Sequence, residues 1–151
     1  MTSSLDTASA IRPEITARLQ RGVGRALVAA DQAVLFELPL ANGRRADVVA
    51  LDHKGQVTIV EIKSGLADYQ ADNKWGDYRH YCDFFFFAVA ADFPDTALPE
   101  DEGLMIADGF GAEIVRTAVA DPLSAARRKA MLIRFARAGA GRLQVLLDPA
   151  I

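Results

Sequence analysis

The segment from Gly43 to Gly65, GRRADVVALDHKGQVTIVEIKSG, constrains the fold more than any other part of the chain. Two apolar runs, ADVVALD and QVTIVEIKS, flank the tripeptide HKG, a pattern that predicts two antiparallel strands joined by a tight turn. The first run contains Asp47, and the second contains Glu61 and Lys63. Because polar groups in an apolar strand cost free energy unless they are paired, these three residues need an explanation.

The turn predicts how the two strands pair. If HKG is a three-residue loop with Gly55 in the left-handed conformation, the residues on either side of it pair with each other. Counting back from the turn then places Asp47 directly opposite Glu61. The alternation of side chains along a strand also puts Glu61 and Lys63 on one face. A slip of one residue would send the two carboxylates to opposite faces, so the prediction depends on this turn.

Two carboxylates at opposed positions repel each other, since their Cβ atoms lie about 4.5–5.5 Å apart. Two explanations are open: a proton shared by the pair, or a divalent cation such as Mg²⁺ held by the carboxylates, water and a substrate phosphate. Lys63 would stabilise charge that develops on the phosphate, or orient or deprotonate water. The pattern favours metal-assisted phosphodiester hydrolysis. The alternative is a hairpin whose charged side chains pair on a solvated face.

Composition limits the class of protein. The chain has 151 residues, of which 51% are hydrophobic and 25% charged, as is typical of one globular domain. No apolar run approaches the roughly 18 residues that span a bilayer, and the first residues lack the basic and apolar parts of a secretory signal. Cys82 is the single cysteine, which suits a reducing compartment. We expect a cytoplasmic protein with a flexible N-terminus over residues 1–10 and one domain over residues 11–151.

The net charge of −3 conceals an uneven distribution. Residues 92–113 include seven acidic and no basic residues, whereas residues 123–147 include six basic and no acidic ones. The basic segment is the best candidate for a track along a DNA backbone. The alternative for each arginine is an ordinary solvated position.

Hydrophobic periodicity and turn residues predict the order α-β-β-β-α-β-β-β-α, an α/β domain with a mixed central sheet flanked by helices. The predicted elements are a helix over Pro13–Ala30, strands over Val34–Leu40, Ala46–Asp52 and Gln56–Ser64, a helix over Ala67–Cys82, a buried strand over Asp83–Ala90, a hairpin of Gly103–Asp108 and Ala112–Arg116, and a helix that follows an N-cap and N1 pair at Asp121-Pro122.

The spacing of the acidic residues resembles a known motif. Asp47, thirteen intervening residues and Glu61-Ile62-Lys63, framed by α-β-β-β-α-β, resemble the PD-(D/E)XK nuclease superfamily, which has the restriction-endonuclease-like fold. A longer string is similar to one branch, the MmcB-like family, whose members are assigned as DNA-repair endonucleases on their fold. The matching pieces are Arg21-Gly22, FELPL, GRRAD, VEIKS, Asp68, D-x-KW-x-x-Y (Asp72–Tyr78), YCD, FP…LPED…GLMIAD and ARRKA.

The resemblance implies a role for each matched position. Asp47 and Glu61 match the metal-binding acids, with the carbonyl of Ile62 as a further ligand, and Lys63 matches the catalytic lysine. Mg²⁺ or Mn²⁺ is the implied cofactor and DNA the implied substrate. Ala46 stands where the motif's name has proline, which is often missing in the superfamily.

Two further acidic residues are candidates for the metal site. Glu37 lies in an apolar strand, where it is either a further metal ligand or an ion-pair partner of Arg44 or Arg45. Glu14 opens the first predicted helix. It is either a metal-site acid, as in many superfamily members, or a favourable charge at a helix N-terminus.

Four residues are candidates for substrate binding. Arg44 and Arg45 either contact phosphate or balance the charge of nearby acids. Lys74 and Tyr78 are four residues apart on the predicted second helix and so share a face; in RecB-like relatives, polar and tyrosine residues here border the active site. On the same helix, Asp68 and Asp72 would orient a lysine or arginine.

These features predict a Mg²⁺-dependent DNA endonuclease or exonuclease that acts in repair. One alternative is a nuclease-like fold that binds DNA or a repair partner and cleaves weakly or not at all, and another is a structural subunit of a repair complex. No glycine motif for a nucleotide cofactor is present. The DNA structure cleaved, the polarity, the protein partners and the oligomeric state, a homodimer included, stay open.

Overall fold

A six-stranded mixed sheet with helices on both faces forms the fold of the computed structural model, which describes residues 4–72 and 74–150. The strands lie side by side in chain order; β3, β4 and β5 are parallel and the other neighbours antiparallel. The predicted mixed α/β architecture is confirmed. No described helix is long and apolar enough to cross a membrane. The elements are α1 (Ser4–Ala29), β1 (Ala33–Pro39), β2 (Arg45–Leu51), β3 (Val57–Ile62), α2 (Leu66–Ala71), a 3₁₀ helix (Trp75–Tyr81), β4 (Phe84–Val89), a short 3₁₀ turn (Asp95–Ala97), β5 (Gly103–Ala107), β6 (Ala112–Arg116) and α3 (Ala125–Leu147).

The central strands are buried on both faces, which explains their nearly continuous apolar sequences. Val48 and Val60 pack against α1, whereas Val49 and Ile59 belong to the opposite core, which includes Met131 of α3. All six residues of β3 are buried. Glu61 therefore lies in the interior and not on a solvated face.

The turn between β2 and β3 has the predicted conformation. Gly55 has a φ of 76°, and its N–H donates to the carbonyl of Asp52 over 3.1 Å. Pairing of Val48 with Val60 and of Leu51 with Val57 continues to Asp47 opposite Glu61. The predicted register is confirmed.

The first helix is longer than predicted. It begins at Ser4 and not at Pro13, which lies inside the helix instead of in its first turn. Proline is favoured in a first turn, where its missing N–H costs nothing, which is why Pro13 predicts a helix start. Inside α1 it costs a backbone hydrogen bond and a steric clash, and the helix continues through it in spite of that cost. The predicted flexible segment falls partly on residues 1–3, which lie outside the described residues.

The predicted helix over Ala67–Cys82 is wrong in its middle. α2 ends at Ala71, and the 3₁₀ helix begins at Trp75. Between them Oδ1 of Asp72 accepts the backbone N–H of Lys74 over 2.8 Å, a local bond of the kind that competes with helix. Lys74 and Tyr78 therefore do not share an α-helical face: Lys74 is exposed and Tyr78 is buried.

The last helix begins three residues later than its predicted cap. Ser124 is the N-cap, and its side chain accepts the N–H of Arg127 over 3.2 Å. Asp121 instead donates its N–H to the carbonyl of Asp83 over 2.8 Å. The segment after Asp121 is thus fixed to the sheet before the helix starts.

Asp83 joins three parts of the fold. Its carboxylate accepts backbone N–H groups from Val57 at the start of β3 and from Leu123 before α3, over 2.7 and 2.9 Å. It also forms a two-pronged ion pair with Arg128 of α3 over 2.6 and 2.8 Å, the geometry of the strongest charge-assisted bonds. Burial opposes ionisation, yet these bonds lower the pKa of Asp83. This side chain positions α3 on the sheet.

We predict that Gly55→Ala destabilises the protein by about 1 kcal/mol or more, because alanine resists a positive φ. An added Cβ would lie 3.6 Å from Leu132, an ordinary contact, so the loss comes from the backbone. Gly141→Ala is the control: this glycine is helical and an added Cβ would meet open space, so the change is neutral or stabilising. Urea unfolding measures both, and equal midpoints would contradict the turn assignment.

Asp83→Asn is expected to lower the free energy of unfolding at neutral pH by about 3 kcal/mol, because it leaves Arg128 without its counter-charge. The folded pKa lies below the ordinary 3.8, so the stabilisation is complete above that value and is lost as pH falls through the folded pKa. The variant should therefore show a weaker acid dependence in denaturant titrations. Asp92→Asn, at an exposed position, is the control, and an equal effect there would exclude the proposed linkage.

Candidate active site

The side chains of Asp47 and Glu61 meet at the paired ends of β2 and β3. Oδ2 of Asp47 accepts the N–H of Ile62 over 2.8 Å, and the negative charge of Asp47 acts directly on the carboxyl group of Glu61. Glu61 is only 7% exposed, and its Oε2 has no donor among the described residues if both acids are ionised. That buried oxygen requires either a proton or a cation.

Burial is the main reason why both acids hold protons more tightly than usual. It raises the pKa of Glu61 to about 9, with the negative charge of Asp47 as the next cause. Burial also raises the pKa of Asp47 to about 6, although the N–H of Ile62 opposes this shift. At neutral pH without a metal, the pair therefore retains a proton on Glu61, as in the shared-proton explanation.

Lys63 follows β3 directly and is 4% exposed. Its Nζ lies 2.6 Å from Oδ2 of Asp72 and 4.0 Å from Oε1 of Glu61, so Asp72 is its main partner. Burial raises the pKa of Asp72, but the hydrogen bond from Lys63 overcomes this and lowers it. The expectation that Asp72 orients a lysine is confirmed. Asp68 instead accepts the N–H and hydroxyl of Ser64.

Glu37 lies in β1, next to Asp47 of the neighbouring β2, and has a positive φ of 53°, a strained value for a residue with a side chain. Its carboxylate accepts Nε of Arg45 over 2.8 Å and Nε2 of Gln20 over 3.1 Å. The ion pair with Arg45, one of the alternatives above, is the one that forms. Glu37 does not join Asp47 and Glu61 in this arrangement.

Gln20 is a site residue that sequence reasoning missed. Besides Glu37, its Nε2 donates to the carbonyl of Asp47 over 2.9 Å, so one amide links α1 to β1 and β2. The only signal was a polar residue adjacent to the buried stripe of α1. Glu14 is exposed and lies ten residues inside α1, so a role at the helix N-terminus is wrong, and Gln20 is the α1 residue that reaches the acids.

The predicted substrate-binding residues lie at different depths. The side chain of Arg45 is 68% exposed. Nε of Arg44 lies 3.3 Å from Oδ2 of Asp77, with which it forms an ion pair. The hydroxyl of Tyr78 donates to the carbonyl of Arg45 over 3.2 Å, and burial raises its pKa far above the ordinary range. Tyr78 is thus a buried residue that holds the backbone of β2 at Arg45, whereas Lys74 is exposed to solvent.

The acid pair fits a hard divalent cation. Mg²⁺ commonly uses one or two protein carboxylates with water and substrate phosphate, and the donorless Oε2 of Glu61 is an oxygen that a cation would satisfy. Among residues 4–72 and 74–150, no cluster of three or more histidine, cysteine or acidic side chains is arranged to hold a metal. The preformed part of the site is therefore this pair of acids.

Fold and site together define the class of protein: a mixed-sheet α/β domain with a buried pair of acids beside a lysine. The family model described as DNA repair protein MmcB-like matches residues 5–150, and the chain belongs to the MmcB-like family. It is similar to a solved protein of unknown function from Silicibacter pomeroyi, with 47% identity and a TM-score of 0.85 over 87% of this chain and 90% of that one. No curated protein matches the chain.

Glu61→Gln is expected to flatten the pH dependence of stability measured in a metal chelator. The folded pKa of Glu61 is raised, so the folded protein keeps a proton that the unfolded chain loses near 4.5, and stability falls as pH rises towards about 9. The slope is about 1.4 kcal/mol per pH unit for each retained proton, and the glutamine removes this contribution. Glu113→Gln, at an exposed position, should retain the slope. A wild-type stability that rises between pH 6 and 9 would contradict the assignment.

Proposed function

We propose that this protein is a metal-dependent deoxyribonuclease of DNA repair, with the restriction-endonuclease-like fold of the PD-(D/E)XK superfamily. The observation that carries the proposal is the buried contact of the Asp47 and Glu61 carboxyl groups, with a donorless oxygen, next to Lys63. The name of the family supports a place in DNA repair. The order of elements, with a helix before an antiparallel β1–β2–β3 unit and a parallel β4 after it, supports the superfamily placement.

Asp47 and Glu61 would hold a Mg²⁺ or Mn²⁺ ion, and the carbonyl of Ile62 is the further ligand that the superfamily implies. When bound, the ion supplies Lewis-acid activation of a phosphodiester. The chain must first give up the proton on Glu61, because a neutral carboxyl is a poor ligand. Glu37 is a candidate ligand only if Arg45 releases it, since its carboxylate is now engaged.

Lys63 contributes a fixed positive charge beside the acids. Asp72 restrains its Nζ over 2.6 Å, so the charge needs little reorganisation when negative charge develops on a phosphate. Lys74 is exposed and is positioned to contact the DNA backbone, whereas Arg44 and Arg45 would have to exchange Asp77 and Glu37 for phosphate.

One observation favours a second function, a DNA- or partner-binding module that cleaves weakly. The described residues do not present a cluster of three metal-binding side chains, and Asp72 already neutralises Lys63. A site neutralised in this way is compatible with binding without efficient hydrolysis. Cleavage assays separate the two functions.

We predict that the protein cleaves DNA in the presence of Mg²⁺ or Mn²⁺, and that Asp47→Asn, Glu61→Gln and Lys63→Ala each lower the rate by about 100-fold or more, because each removes a charge at the reacting phosphate. Nicked, branched and single-stranded substrates are compared under single-turnover conditions. Lys129→Ala on α3 is the matched control, since this lysine is exposed and remote from the acids in sequence.

Equal activity in wild type and all three site variants would sink the catalytic assignment. DNA binding without cleavage by the wild type, with either ion and on every substrate, would establish the binding module instead. Thermal unfolding of each variant shows whether a lost rate reflects lost structure.

A further inference from the structure

The basic residues of α3 are mostly used within the protein, which argues against α3 as the DNA track that its composition suggested. Four of its six basic residues donate to backbone carbonyls of other elements. These are Arg127 to His80, Arg128 to Gly55, Arg134 to Pro39, and Arg142 to Phe36 and Glu37. The contacts of Arg134 and Arg142 lie along β1, an edge strand of the sheet. A phosphate would have to compete with these internal bonds.

The arginines of α1 are placed differently. Arg21 and Arg25 are exposed, and neither forms an ion pair with another described residue. Residues four apart on a helix have Cβ atoms about 5–6 Å apart, so the two guanidinium groups start from one face. Both guanidinium groups are therefore free of ion pairs within residues 4–72 and 74–150.

Both arginines border a groove between α1 and β1 with a volume of about 560 Å³. Val28, Val34 and Phe36 give the groove an apolar lining. Phe36 packs under Gly24, where an added Cβ would come within 2.5 Å of the ring. The small residue on α1 therefore allows the aromatic ring to lie close to the helix.

The groove and the candidate active site share one side chain, that of Gln20. Gln20 lines it, and the same side chain donates to the carbonyl of Asp47 over 2.9 Å and to Glu37 over 3.1 Å. A ligand in the groove would therefore contact the amide that holds Glu37 and the backbone of Asp47, whereas Glu61 and Lys63 share the face of Ile59, opposite α1.

We propose that the groove between α1 and β1 binds a single-stranded stretch of DNA. Arg21 and Arg25 contact phosphates, and unpaired bases pack on the apolar lining that includes Phe36. Proteins that bind single strands combine cations along the backbone with aromatic and apolar surfaces under the bases, and this groove offers both. A duplex hides its bases and would leave the apolar lining unused. The inference deepens the proposed function and rests on it for the identity of the ligand as DNA.

The test is fluorescence anisotropy in a metal chelator, so that binding is measured without cleavage. The probe is a labelled oligothymidylate of about 12 nucleotides, a length that matches common single-strand sites. The double variant Arg21→Glu/Arg25→Glu should weaken binding by about tenfold or more and reduce the slope of log K against log salt by about 1.4, the value for two lost contacts. Thermal unfolding confirms that it is folded.

The matched control is Lys129→Glu/Arg137→Glu on α3, which makes the same change in net charge at two exposed positions. Apart from the loss that the change in net charge alone causes, its affinity for the oligonucleotide should change by less than about twofold. An equal or larger loss in this control would overturn the assignment to α1 while leaving the nuclease proposal intact. If the wild type does not cleave DNA but the α1 double variant still loses binding as expected, the nuclease proposal falls and the groove assignment stands.

A second comparison tests the apolar lining. An abasic oligonucleotide of the same length carries the same phosphates without bases and should bind at least about tenfold more weakly than oligothymidylate, given about 1–3 kcal/mol for each stacked base. Equal affinity, or tighter binding of duplex of the same length, would overturn the single-strand proposal. A change in sedimentation caused by Val28→Glu without DNA would instead identify the groove as an interface between copies of the chain.

Discussion

The pairing register of β2 and β3 is the constraint on which the rest of the structure depends. Both strands are buried on both faces, so a slip of one residue would exchange the apolar sets that contact α1 and α3. Gly55 fixes the register through its positive φ, and Asp52 secures the turn by accepting the N–H groups of Lys54 and Gln56. The same register that separates the two cores also brings two acids together, so fold and site have one cause.

The acid pair is stable only because something offsets its charge. Without a cation the offset is a proton, which burial and the neighbouring aspartate hold on Glu61 up to a pKa of about 9. A divalent ion would compete for the same position, and binding would release that proton. Asp72 keeps Lys63 in place meanwhile, so the lysine does not have to neutralise Glu61. The net charge of the cluster formed by Asp47, Glu61 and Lys63 therefore depends on whether a proton or a divalent cation lies between the two acids.

Local sequence signals predicted the register and the face of each charged residue, because a glycine turn and a period of two determine both. They could not predict Gln20, whose amide reaches Asp47 only after α1 has packed across the sheet. The single helix predicted over Ala67–Cys82 failed for a related reason. The sequence pattern places Asp72 inside a helix. In the structure its carboxylate accepts hydrogen bonds from Nζ of Lys63 and from the N–H of Lys74, and α2 ends just before it. Side-chain partners therefore explain both failures: a non-local one for Gln20, and partners closer in sequence for Asp72.

Charge composition shows the same limit at the scale of a surface. The run of basic residues in α3 predicted a DNA track, yet an arginine that already donates to a carbonyl, as Arg142 does to Glu37, must break that bond before it can bind phosphate. Arg21 and Arg25 of α1 form no ion pair with another described residue and carry no such cost. They stand beside an apolar groove lined by Gln20, whose amide donates to the backbone carbonyl of Asp47. What attracts a polyanion is thus the charge that the fold leaves unpaired, and Arg21 and Arg25 keep such charge on the helix with the weaker basic signal.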